Sequence, residues 1–99
     1  MSRSFEDFVH EVENASSDEE RRDLEAARAR FRLGARLQQQ RLAAGLTQKQ
    51  LADASGVAQA DISRIERGQG NPTAATLGAL GGPLGVTLEY VSTEEPAPA

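Results

Sequence analysis

Five side chains at helical spacing carry the most specific chemistry in this sequence: Gln59, Ala60, Ser63, Arg64 and Arg67. At about 100° of rotation per residue, Ala60, Ser63, Arg64 and Arg67 fall on one side of a helix with Gln59 at its flank. Ala58, Ile62 and Ile65 fall on the other side. A glutamine can pair bidentately with adenine, an arginine can donate to O6 and N7 of guanine, and an alanine methyl can meet the methyl of thymine. Arg67, at the helix end, is placed for phosphate. An ordinary amphipathic surface helix also turns Gln, Ser and Arg outward, so the face alone does not fix its role. Asp61 falls near the apolar side and reads as a first-turn acid favoured by the helix dipole, not as a base contact.

The elements that must position this face are legible in residues 47–68, TQKQLADASGVAQADISRIERG. Gln48 opens a helical pattern with Leu51 and Ala52 inward. Gly56 falls where the chain must reverse, and a glycine accepts positive φ there without steric cost. After the turn Ile62 and Ile65 recur at helical spacing, and Ala52 is small enough for the second helix to cross close to the first. Two short helices joined by a tight turn, the second with a polar face, form a helix-turn-helix signature.

Blocks in the order LGARLQQQR, GLTQKQLA, SGVAQADISRIERG, NPTAATLGAL and LGV, within residues 33–86, resemble the phage-repressor or XRE type of helix-turn-helix domain. The resemblance implies a compact bundle of about five helices whose third enters the major groove of double-stranded DNA. It implies phosphate contacts from Thr47 and Gln48, where free amides at a helix N-terminus would help. It also implies a structural ion pair between Arg41 and Glu66, which would fix the angle between helices. With Asn71, these residues complete the expected DNA-binding set of Thr47, Gln48, Gln59, Ala60, Ser63, Arg64, Arg67 and Asn71.

Charge first argues against this reading, because the chain totals −4. Its distribution removes the objection. Residues 1–25 carry −6, residues 26–70 carry +5 and residues 71–99 carry −3. The central segment is therefore locally basic, as a phosphate-binding surface requires, and the acidic arms suit a basic partner or simply solubility. With 99 residues there is room for one small domain plus arms. The sequence holds no cysteine, which removes disulfides and thiolate zinc sites and is compatible with a reducing cytoplasm. Nothing in it resembles a signal peptide or a membrane span. The single histidine, His10, has no cysteine or converging acid pair beside it, so no catalytic or metal site is expected and no cofactor is implied.

The boundaries expected from pattern are an acidic helical arm over 1–25, a helix-turn-helix domain over 26–85, a strand over 86–91 and a disordered tail over 92–99. In the arm, Ser4 can cap a helix whose Phe5, Phe8, Val9 and Val12 form an apolar stripe, either folded back beside Phe31 or docked on another protein. Ser17 and Glu20 form a capping-box pattern, and a second helix can run from Asp18 past Gly34 to about Ala44, with Leu24, Ala27, Phe31 and Ala35 on one side. Asn71 and Pro72 suit another helix start. Gly78, Gly81, Gly82 and Pro83 predict that this helix stops or kinks near Leu80. The same glycines lack the ending of a phosphate-binding P-loop. In VTLEYV, residues 86–91, Val86, Leu88 and Tyr90 share one strand face. A lone strand needs a partner edge, from a second copy or another protein, unless the segment is an extended tail packed on the bundle.

A phenylalanine-bearing acidic arm, an arginine-rich helix, the helix-turn-helix and a closing strand together resemble antitoxins of the HigA and HipB type. That resemblance implies a bacterial, cytoplasmic homodimer, nucleoid-associated when bound to DNA, that represses its own operon and neutralises a basic toxin, commonly a ribonuclease. The dimer would pair through Val86, Leu88 and Tyr90. The expected fold class is accordingly all-α: a five-helix bundle, an N-terminal helical extension and one short C-terminal strand. A stand-alone dimeric regulator shares every DNA-binding residue with this reading. A protein adaptor built on the same fold is a further rival, and an enzyme is the remotest.

Overall fold

The computed structural model describes residues 4–15 and 17–94, with residues 11–15 described in their backbone only. Its regular structure is five helices: α1 Phe5–Ala15, α2 Asp18–Ala43, α3 Gln48–Ser55, α4 Gln59–Glu66 and α5 Ala74–Leu84. Local chemistry explains the starts. The Ser4 hydroxyl accepts the Asp7 N–H at 3.1 Å, and the Ser17 hydroxyl accepts the Glu20 N–H at 3.1 Å. Each satisfies an amide that the first helical turn leaves unpaired. Asp18, Glu19 and Glu20 then place negative charge at the positive end of the α2 dipole.

The core lies where four of these helices meet. Leu37 of α2, Leu51 of α3, Ile62 and Ile65 of α4 and Leu80 of α5 form one buried cluster, and Leu33, Leu46, Ala52, Val57 and Leu84 pack around it. Leu51 and Ile62 are wholly inaccessible to solvent. Leu24 is also buried, outside this cluster. The apolar side expected for α2 is only partly inward: Leu24 is buried and Ala27 half-buried, but Ala35 is exposed and Phe31 remains 48% exposed. The face that meets the core is instead Gly34, Leu37 and Arg41, three positions at three- and four-residue spacing that are all buried.

Gly34 sets how closely α2 and α4 approach. A Cβ at this position would overlap the carbonyl oxygen of Ile65 and stand 3.0 Å from that of Glu66. Backbone cannot yield there as a flexible side chain would, so the position requires the smallest residue despite its low helix propensity.

The structure corrects three expectations. First, the described residues hold five helices in all, not five plus an extension. The helix expected from Asp18 to about Ala44 is present as the continuous α2, which runs across residue 25. Second, α5 starts at Ala74 behind a Thr73 cap and continues through Gly81, Gly82 and Pro83 to Leu84. Pro83 falls in the last turn, where it forfeits only one bond, to Ala79. Burial of Leu80 and packing of Leu84 offset the glycines. Gly81 also admits the Val86 carbonyl oxygen where a Cβ would collide with it. Third, residues 86–91 form no strand. Val86 donates its N–H to Gly81 O at 3.0 Å as part of the α5 cap. Beyond it the chain offers no second strand among the described residues to complete a ladder. The pairing of Val86, Leu88 and Tyr90 across a dimer therefore has no strand to rest on. Residues 92–94 carry no regular structure, while the Val12 side chain and residues 95–99 lie outside the described residues.

Two glycine substitutions within helices should have opposite signs. Gly34→Ala should destabilise the fold by about 1–3 kcal/mol through overpacking. Gly78→Ala, at an exposed position with open space around it, should stabilise by about 0.5–1 kcal/mol. Urea unfolding measures both; a stabilising Gly34→Ala would mean that α2 and α4 are not in this contact.

Candidate nucleic-acid interface

The candidate interface is built from the start of α3 and the outer face of α4. Thr47 caps α3 in a reciprocal arrangement: its hydroxyl accepts the Gln50 N–H at 3.1 Å, while the Gln50 side-chain oxygen accepts the Thr47 N–H at 2.9 Å. The capping box orients the chain as it enters α3. Gly56 ends α3 with φ of +76°, and its N–H closes on Ala52 O at 2.9 Å. No neighbouring atom would touch a Cβ there, so the left-handed backbone, not lack of space, is what favours glycine. The Ser55 hydroxyl accepts the Val57 N–H at 3.1 Å, steadying the turn that leads into α4.

On α4 the two faces separate cleanly. Ile62 and Ile65 are 0% and 4% exposed, whereas Gln59, Ala60, Arg64 and Arg67 are exposed and Ser63 half-buried. Arg67 donates from Nη1 to the Ser63 hydroxyl at 2.7 Å. Arg64 donates from Nη2 to the Asp61 carboxylate. Asp61, taken from its position as a dipole-favoured acid, is thus also the partner of Arg64. Asn71 is exposed just beyond α4, and together with Asp61, Arg64, Thr73 and Thr76 it lines a cleft between α4 and the start of α5.

Behind this face lies a buried polar hub. Arg41 donates from Nε to Glu66 Oε2 at 2.7 Å and from Nη2 to Glu66 Oε1 at 2.8 Å. Its Nη1 donates to Leu46 O at 2.8 Å. Gln48 Nε2 also donates to Glu66 Oε1, at 3.3 Å. The side chains of Arg41 and Glu66 are only 9% and 3% exposed. Hydrogen bonding to Glu66 raises the Arg41 pKa against the opposing pull of burial, so the guanidinium stays charged. Thr47 remains exposed, but Gln48 is half-buried with one amide donor committed to the hub.

The arm meets the same region from the side. The Phe5 ring stacks on Phe31 at 4.6 Å between centroids and 2° between planes, and Phe8 lies 6.3 Å from Phe5. Phe5, Phe8 and Val9 are half-buried. Ser4, Phe5, Phe8, Ala27 and Phe31 share a cleft with Arg67 and Gly68 at the end of α4. At the opposite edge, Leu88, Tyr90 and Val91 are exposed, and residues 86–88 border an apolar groove with Leu33, Leu37, Leu77 and Leu84. Among the described residues no cluster of His, Cys, Asp or Glu could hold a metal ion, and no helix is long and apolar enough to cross a membrane. His10 is exposed.

Three contributors leave only local traces in the sequence. Gln50 had a signal, the Thr-x-x-Gln spacing of a capping box. Gly34 had a weaker one, its helical register with Leu37 and Arg41. The Asp61–Arg64 contact has the i,i+3 spacing of a helical ion pair, although rotation by about 100° per residue puts Asp61 near the apolar side.

Comparison with known proteins agrees with this geometry. A family model described as helix-turn-helix matches residues 37–91. An uncharacterized HTH-type transcriptional regulator of Haemophilus influenzae is 55% identical over 47 residues. That alignment covers 48% of this chain and 48% of the relative, so the chain matches about half the length of that protein. No solved structure matches.

The hub should matter far more to stability than a surface pair does. Glu66→Ala, which strands a buried arginine, should cost about 3–5 kcal/mol in urea unfolding. Lys49→Ala, which removes a pair with Asp53 that is 75% and 72% exposed, should cost under about 1 kcal/mol. Equal losses would contradict the burial assigned to Arg41 and Glu66.

Proposed function

The chain belongs to the helix-turn-helix family, and from that premise we propose that it is a sequence-specific DNA-binding transcriptional regulator. The observation that carries the reading is the division of α4: isoleucines sealed into the core on one side, Gln59, Ala60, Arg64 and Arg67 presented to solvent on the other. Such a helix fits the major groove, with Gln59 and Arg64 reading base edges. Arg67, Thr47, Gln48 and Asn71 serve phosphate or flanking contacts, and the +5 charge of residues 26–70 supplies attraction to the duplex. The working form is a homodimer, and it acts in the bacterial cytoplasm on half-sites about one helical turn apart.

Within this reading, the chain acts as a repressor of its own operon and the antitoxin of a basic toxin protein, possessing an arm whose −6 charge suits such a partner. A stand-alone dimeric regulator is the second reading, favoured by the Phe5–Phe31 stack, which uses the arm for internal packing. Co-expression with the product of the neighbouring reading frame separates them. Co-elution and a joint shift of the shared promoter assign the antitoxin role; separate elution with the promoter still shifted assigns the stand-alone one.

Two arginine substitutions test the common reading. Arg64→Ala should weaken binding to the preferred duplex by about 1–3 kcal/mol and relax preference at one base pair. Arg67→Ala should weaken binding alike across sequences and lower the salt slope by about 1. Fluorescence anisotropy at several salt concentrations measures both, and unchanged affinity and preference in Arg64→Ala would reject the reading.

A further inference from the structure

The two arginines of the outer α4 face are held by different chemistry. Arg67 rests on the neutral Ser63 hydroxyl. Arg64 rests on a carboxylate, that of Asp61, one turn earlier on the helix. Arg64 and Asp61 keep 55% and 46% of their side-chain exposure, so the pair is no buried lock. An exposed pair at i,i+3 adds little to folding. A carboxylate on a face that meets phosphates also opposes association with any duplex, whatever its sequence.

What such a carboxylate does well is orient its partner. A guanidinium carries five donors in one rigid plane. With Nη2 engaged by Asp61, the remaining donors lie in the plane that the pair fixes, and a bidentate contact to guanine needs that alignment. A side chain already fixed loses less rotamer freedom on docking. The same tether keeps the arginine from swinging to a phosphate, where it would bind without reading sequence. Arg67 has no anionic tether among its described bonds and remains suited to phosphate.

Resting on the assignment of α4 as the groove-reading helix, we propose that Asp61 is a specificity-determining positioning residue, which aims Arg64 at a guanine edge and withholds it from the phosphate backbone. Removing it trades discrimination for general affinity.

The test uses the full chain and two duplexes: one enriched by the wild-type protein from a random-sequence library, and a shuffled version of it. In Asp61→Ala, affinity for the shuffled duplex should rise several-fold while the ratio of enriched to shuffled affinity falls about tenfold. Repeating the enrichment with the variant should lose preference at one guanine. Asp61→Asn, which keeps the shape and removes the charge, should shift both quantities the same way and guards against misfolding of the alanine variant. On an Arg64→Ala background, Asp61→Ala should leave the ratio unchanged, a coupling that a merely structural role would not produce. A ratio unaffected by Asp61→Ala and Asp61→Asn, or altered equally with and without Arg64, overturns the proposal while the DNA-binding reading stands. A wild-type chain that enriches no sequence overturns both.

Discussion

Arg41 and Glu66 form the contact on which the arrangement of the helices depends. Two short hydrogen bonds join them, a third ties Arg41 to Leu46 O, and Gln48 reaches the same carboxylate. The guanidinium thus ties the end of α2 and the loop after it to the last residue of α4, whose carboxylate also holds the first residue of α3. Desolvating two charges is costly, and these partners repay that cost only in one geometry. The pair therefore acts more as a constraint on angle than as a source of stability. Gly34 complements it by bringing the backbones of α2 and α4 into contact just before the ion pair closes.

That constraint explains how a short helix can present a surface of defined orientation. α4 has only eight residues and would not persist alone in water. Ile62 and Ile65 hold its inner face in the core, the hub holds its C-terminal residue, and Gly56 with the Thr47 cap sets the approach of the chain. The outer residues then stand on a rigid support. Electrostatics follow the same plan: the basic segment surrounds α4, while the acids are concentrated in the flanking segments.

The two helices around Gly56, the inward Leu51, Ile62 and Ile65, and the Ser17 cap were legible because each depends on local spacing. Other features depended on distant residues. Gly34 in a helix looks like a mild defect until Ile65 is placed against it. Gly81 and Pro83 read as a stop because propensity is local, whereas Leu80 and Leu84 earn their helical turn by packing. VTLEYV has the composition of a strand, yet strand formation needs a second edge, and this chain supplies none among the described residues. The outer α4 face was visible as a pattern, but its Asp61–Arg64 contact required side-chain geometry.

On the function proposed above, the outer face of α4 and the start of α3 form the surface that meets duplex DNA. Mapping backbone amide shifts by NMR during titration with the duplex enriched by the chain itself tests it most directly. The largest changes should cluster at Thr47, Gln48, Gln59, Ala60, Ser63, Arg64 and Arg67, with Leu51 and Ile65 little affected. Changes concentrated in α1, or in residues 86–94, with α4 silent would contradict it.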